Sequence, residues 1–181
     1  MRRCAISIIV LLLALPLIIQ FGYADDAQPT EYQLKAAYLY HFAQFVNWPA
    51  AAFAQTNSPL VIGVLGDNPF GADLEHTVEG KVLDGHPLKV QEFKSFSDIT
   101  GTCHILFISS SEKKRFSQIS EKLAGKSTLT VGESDRFIEA GGMIQFVLAG
   151  GRIRFEINRT AASKAGLTMS FKLLNLASKV Q

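Results

Sequence analysis

The sequence predicts an α/β domain: a largely parallel sheet flanked by helices, with an antiparallel hairpin at about 143–158 and a closing helix. Three observations carry this. The runs PLVIGVLG and HILFISS are short, continuous and apolar, as strands buried on both faces must be. Helical patterns lie between the strand patterns, the arrangement of parallel strands joined by crossovers. Finally, MIQFVLAGGRIRFEIN reads as two strands joined at Ala149-Gly150-Gly151, where glycine permits the positive φ of a tight hairpin.

The elements follow in order. Basic MRRC leads into AISIIVLLLALPLII, an apolar stretch of signal-peptide length and short for a membrane span. Gly22 and Ala24 supply small residues before a cut, so cleavage is expected between Ala24 and Asp25, leaving a single exported domain over 25–181. TEYQLKAAYLYHFAQFVNW has helical spacing, with Leu34, Ala37, Tyr38, Phe42, Phe45 and Val46 expected on the buried face and Pro49 as the stop. A strand from Leu60 to Leu65 and a helix opening near Pro69 come next. Asp84-Gly85 marks a turn before a strand from about Leu88 to Phe93. SSEKKRFSQISEKLAG reads as a serine-capped helix with Phe116, Ile119 and Leu123 inward and Gly125 as its stop. STLTVGES is a strand and DRFIEAGG a turn-like connector. In RIRFEIN, Ile153, Phe155 and Ile157 alternate with Arg152, Arg154 and Glu156, the pattern of one buried face. The stretch from Asn158 onward reads as a closing helix with a break near Gly166, its apolar face made by Leu173, Leu174, Leu176 and Ala177.

Charge and cysteines narrow the function. The whole chain carries +2, but losing Arg2 and Arg3 with the leader leaves sixteen basic residues against sixteen acidic ones. No basic face for nucleic acid is visible. Cys4 leaves with the leader, so Cys103 has no intramolecular partner for a disulfide or a zinc site. It opens the apolar run CHILFIS, which favours burial.

Four groups of residues are candidates for chemistry. The stretch VIGVLGDNPFG places Gly66, Asp67, Asn68 and Phe70 at the end of a strand, where α/β folds hold ligands. Gly63, Gly66 and Gly71 do not make a nucleotide-binding fingerprint, and no lysine follows, so the alternatives are a small-ligand crevice and a capped turn. Ser110 with Lys113, and Ser111 with Lys114, match the S-x-x-K spacing of serine acyl-enzymes, but K-T-G and S-D-N are missing from the chain. A capped helix start explains them equally. His41, His76, His86 and His104 lack metal-ligand spacing, and no cofactor is called for. Tyr40 and Trp48 fit the helix face poorly, and exposed aromatic rings are favoured at partner surfaces.

Three ordered segments resemble one family: LKAAYLYHFAQFVNWP; LVIGVLGDNPF with HILFIS; and GGMIQFVLAGGRIRFEINRTAASKAGLTMSFKLLNLA. Together they span nearly all of the chain after the leader and resemble the YfiR-like periplasmic proteins. The resemblance implies a regulator, not an enzyme. It implies binding to the periplasmic domain of a membrane diguanylate cyclase, release by an outer-membrane lipoprotein, and a homodimer. It also implies internal disulfides, which this chain cannot form. Arg154, Glu156, Asn158 and Arg159 lie on or just after the most family-specific strand and are the expected partner-binding residues, with Tyr40 and Trp48. An edge-strand ion pair and an Asn158 helix cap are the structural alternatives.

Overall fold

The computed structural model describes residues 28–181. The expected leader and the Ala24–Asp25 cleavage position lie outside the described residues. The chain folds as a mixed α/β domain. It begins with α1 (Glu31–Phe45) and β1 (Val46–Asn47), followed by β2 (Leu60–Leu65), α2 (Asp73–Val78), β3 (Val82–Leu83) and β4 (His86–Phe93). Next come β5 (Ile105–Ile108), α3 (Phe116–Leu123), β6 (Leu129–Gly132), β7 (Ile144–Ala149) and β8 (Arg152–Ile157). The chain closes with α4 (Arg159–Lys164), β9 (Thr168–Met169), α5 (Phe171–Leu176) and β10 (Lys179–Val180).

Eight strands form the main sheet in the order β10-β8-β7-β6-β5-β2-β4-β3. Pairs from β4 through β2, β5 and β6 to β7 are parallel, and β7 pairs antiparallel with β8. The apolar runs predicted as two-sided strands are so: every residue of β2, β5 and β6 is buried. The hairpin turns at Gly150 and Gly151, both with positive φ, as a two-residue turn between twisted strands requires.

The sheet carries a core on each face. On one, α1 and α2 cover Ile62, Val64, Ile105, Phe107, Ile144, Phe146, Phe155 and Ile157. On the other, Phe116, Ile119 and Leu123 of α3 pack with Val61, Leu65, Leu106, Ile108 and Phe137. Strand neighbours alternate between the two because successive side chains point to opposite faces.

Several expectations are corrected. The buried positions of α1 are Lys35, Ala36, Leu39, Phe42 and Ala43, and Leu34 is exposed. The true stripe is rotated from the predicted one because a lysine sits inside it. SSEKKR is a 3-10 helix, and α-helix begins only at Phe116. The connector near 133–142 buries Phe137 and Ile138. Phe137 seats its ring where a Cβ on Gly132 or Gly142 would stand. The closing helix is two short helices, with Gly166 at φ +74° between them. Between these helices, β9 pairs with β1 and ties the chain back to the end of α1. Leu173 is buried, whereas Phe171 and Leu176 are exposed. After α5 the chain returns as β10, parallel to β8, so β8 is not an edge strand over Glu156 and Ile157.

Candidate functional site

The sheet order reverses at β2, whose neighbours β4 and β5 are reached by crossovers on opposite faces. In open α/β sheets the carboxyl ends of strands at such a point hold ligands. Here the chain fills that place itself. Gly66 has φ +89°, and a Cβ on it would overlap the Ser111 hydroxyl. The Asp67 amide donates to that hydroxyl at 3.1 Å, and the Gly66 amide donates to the Phe93 carbonyl at 2.9 Å. The Asn68 carbonyl oxygen accepts from the Phe70 amide, and its NH2 donates to Glu92 and the Gly71 carbonyl. Phe70 is buried, edge-on to Phe107 and Tyr32. Of the four crevice residues, Asp67 alone is fully exposed.

Ser110 and Ser111 follow the Ser109 cap of the 3-10 helix. Ser111 is engaged with Asp67, and Lys113 is drawn to Asp135 at 3.0 Å. Among the described residues no hydrogen bond joins either serine to either lysine. An activated serine needs such a base in reach.

Beside this closed point, the first turns of α1 descend onto the end of β6. Thr30 caps the helix in a reciprocal box with Gln33. That positions Lys35, whose side chain is 5% exposed, to donate to Glu133 and Glu31, both at 2.5 Å. Its ammonium lies over the Tyr32 ring at 4.6 Å, and the Tyr32 hydroxyl donates to Glu133. Burial would pull the Lys35 pKa down. The hydrogen bonds to Glu133 and Glu31 outweigh it and the net displacement is upward. Burial and the Glu133 charge raise the Tyr32 phenol. A groove of about 580 Å³ opens here, walled by Val147, Leu148 and Ile153 and reached by Ser110 and Asp135. This cluster was missed in the sequence because Lys35 reads as a solvent-facing residue. The signal that could have found it is Glu31 one helical turn before a lysine flanked by buried positions.

The six expected partner-binding residues do not form one patch. Tyr40 belongs to α1, half-buried, with Lys81 5.1 Å from its ring and Gln44 on its hydroxyl. Trp48 is half-buried and donates through Nε1 to the His104 carbonyl at 3.2 Å. Arg154 and Glu156 share the opposite face of the sheet, away from Phe155 and α1. Glu156 stands in register between Gln145 of β7 and Lys179 of β10. Among the described residues no salt bridge joins Arg154 to Glu156. Asn158 caps α4 by accepting from the Ala161 amide at 2.9 Å, and its NH2 reaches the Ile138 carbonyl. Arg159 is exposed, and its amide donates to the Gln181 carbonyl. Cys103 is 4% exposed. Its thiol donates to the Ile105 carbonyl, and burial pushes its pKa up to about 12.

A family model described as YfiR/HmsC-like matches residues 32–178. The chain belongs to the YfiR/HmsC-like family. That span runs from Tyr32 of the buried cluster to Ser178, just before β10. Membership suggests a periplasmic regulator of diguanylate cyclase signalling, from a family that is regulatory rather than catalytic. No curated protein matches the sequence. Among solved structures, this family member is similar to a conserved domain protein from Vibrio cholerae O1 biovar El Tor strain N16961, at 13% identity and a TM-score of 0.52. The likeness covers 84% of this chain and 60% of that one, so the present chain spans only part of that protein's length. At this identity it speaks to the fold alone.

Proposed function

We propose that this YfiR/HmsC-like protein is an exported, non-enzymatic regulator. In this reading it binds the periplasmic sensor domain of an inner-membrane diguanylate cyclase and represses cyclic di-GMP synthesis. Family membership over residues 32–178 carries the reading. Repression from outside the membrane requires only that the regulator prefer the inactive sensor state. Holding that state at about 99 to 1 from an initial 1 to 99 needs roughly a 10⁴-fold preference. No nucleophile or cofactor is needed for this. The solvent face of the hairpin supplies charges of both signs in fixed register, Arg154 and Glu156 beside Lys179, which suits recognition of one partner orientation. Asn158 and Arg159 extend that face, and Tyr40 and Trp48 offer a second contact on the helix side. Sequestration by an outer-membrane lipoprotein would release the cyclase, and a homodimer is the proposed free form.

The test is cellular cyclic di-GMP after deletion of the gene and after restoring it with and without residues 1–24. The expected result is a rise on deletion, reversed only by the form that keeps its leader. An unchanged level would overturn the reading.

The groove beside Lys35 supports a second reading, a periplasmic small-ligand-binding module. Val147, Leu148 and Ile153 on one wall and Lys35, Glu133 and Asp135 on the other offer a ligand both apolar and charged contacts. Thermal stabilisation of the purified protein by a small-molecule panel tests it. No stabilisation by any compound would leave the regulator reading alone.

A further inference from the structure

The loop from Trp48 to Pro59 crosses the amino-terminal ends of β2 and β5, at the opposite end of the parallel strands from the groove beside Glu133. Trp48 and Phe53 lay it against the main core, and two histidines hold it at four further contacts. The Trp48 indole N–H donates to the His104 carbonyl. The Ala52 carbonyl meets His104 Nε2 at 3.2 Å, and the Ser58 carbonyl meets His86 Nδ1 at 2.7 Å. Phe53 is sandwiched between the two rings, with centroids 3.7 Å from His86 and 4.4 Å from His104.

The partners fix the proton on His104. The Val61 amide points at Nδ1 from 3.0 Å, and an amide can only donate. Nδ1 is therefore the bare nitrogen, and Nε2–H donates to Ala52. His104 is 1% exposed. A second proton has one place to go, Nδ1. There it would face the Val61 N–H, removing the acceptor and setting two donors against each other.

We propose that His104 is an acid-sensitive pin that holds the 48–59 loop closed while neutral and releases it when Nδ1 is protonated. The surroundings offer the cation no counter-charge. The loop contributes Trp48, the Ala52 carbonyl and Phe53; β2 contributes the Val61 amide; β6 contributes the Leu129 amide on the His104 carbonyl. Among the described residues, His86 is the titratable group whose charge bears on His104, and it is repulsive. The Phe53 face attracts a cation, but that contact replaces neither the lost acceptor nor the lost water. Lifting Phe53 and Trp48 lets water reach the ring and solvate it.

The direction of the pH effect follows. Burial, then His86, lower the His104 pKa from 6.5 to about 4, against the opposing pull of Ala52. The released loop leaves the ring near its ordinary value. Closure is thus complete above 6.5 and weakens as pH falls toward 4. Between pH 6.5 and 4 the closed-to-open ratio drops by about 80-fold, toward a limit of about 300-fold below both values, tenfold per unit of displacement. Trp48 heads this loop, so under the regulator reading acid would also alter the interface surface that Trp48 carries.

The experiment is hydrogen exchange of the purified protein at about pH 7 and about pH 4.5, corrected for intrinsic rates, read beside the fluorescence of Trp48, the chain's one tryptophan. Amides of 50–56 should lose protection by one to two orders of magnitude, roughly the scale of the pKa displacement, while β2 and β5 keep theirs. Uniform protection at both pH values, or loss in loop and strands together, would overturn the proposal. So would an NMR titration placing the His104 ring near 6.5. His104→Asn puts an amide oxygen near the Nδ1 position and cannot titrate, so its loop protection should not depend on pH. His86→Gln loses the Ser58 anchor and the Phe53 stack, so its loop protection should fall at both pH values while a drop between them remains. A response that persists in His104→Asn, or vanishes in His86→Gln, assigns the effect elsewhere. All of these readouts use the isolated protein, so they stand or fall apart from any cyclase.

Discussion

The Lys35 ammonium and the Glu133 carboxylate meet at 2.5 Å across 98 residues of sequence, with both side chains largely withdrawn from water. This pair joins the first helix to the end of β6. Breaking a buried pair from one side leaves the other charge without compensation, whereas replacing both partners can be neutral. Lys35→Met should therefore cost about 3 kcal/mol in urea denaturation. Lys35→Met with Glu133→Leu should recover most of that loss. The net pKa displacement of Lys35 is upward, so its contribution is complete below the ordinary value of 10.5 and disappears as pH rises through the folded value. Wild type and Lys35→Met should converge in stability only in strongly alkaline buffer.

Gly66 makes a different demand. Its φ of +89° and the nearby Ser111 hydroxyl both oppose a side chain. Gly66→Ala should lose about 2–4 kcal/mol, from backbone strain and the clash together. Adding Ser111→Gly should restore only the part of the clash due to that hydroxyl, leaving the contact with Glu112 Cγ and roughly 1–2 kcal/mol of backbone strain. Full recovery in the double variant would show that the backbone conformation is not the constraint.

Cys103 should be chemically silent. A thiol held near pKa 12 is ionised to roughly one part in ten thousand at pH 8, and it is buried besides. Reaction with an aromatic disulfide reagent should be slow in native buffer and immediate in denaturant. Rapid native reaction would mean that the segment leading into β5 opens locally.

Arg154→Glu tests the hairpin face. The side chain is exposed and forms no salt bridge among the described residues, so stability should change by less than about 0.5 kcal/mol. Under the proposed regulator function the same variant should fail to lower cyclic di-GMP when it replaces wild type in the cell. Normal repression by the folded variant would remove Arg154 from the interface.

The strands were legible because burial on both faces leaves an unmistakable record: β2, β5 and β6 have almost no polar residue to obscure them. The hairpin was legible because two glycines sit where two positive φ values are needed. The first helix was misread by one step of rotation because Lys35 carries its partner in from another part of the chain. No local pattern announces Glu133 as that partner. The closing segment was misread for a related reason. Its helical spacing is real over short stretches, but β9 and β10 exist only because β1 and β8 present edges to them. At the strand end expected to form a crevice, the Ser111 hydroxyl, 45 positions beyond Gly66, closes against the glycine, and no local pattern announces that approach. The family resemblance rested on ordered segments, and these need no tertiary knowledge to read.

The first helix and the last elements complete each other: α1 ends in β1, which pairs with β9, and its inner face rests on Phe146 and Phe155. A chain wired this way cannot seal its main core until residue 169 has been delivered. An emerging amino-terminal segment has a helix with nothing to lie upon, and closing so long a loop is entropically slow. Under the proposed export, this topology would postpone compaction until nearly the whole polypeptide had crossed, the order of events that passage as an unfolded thread requires.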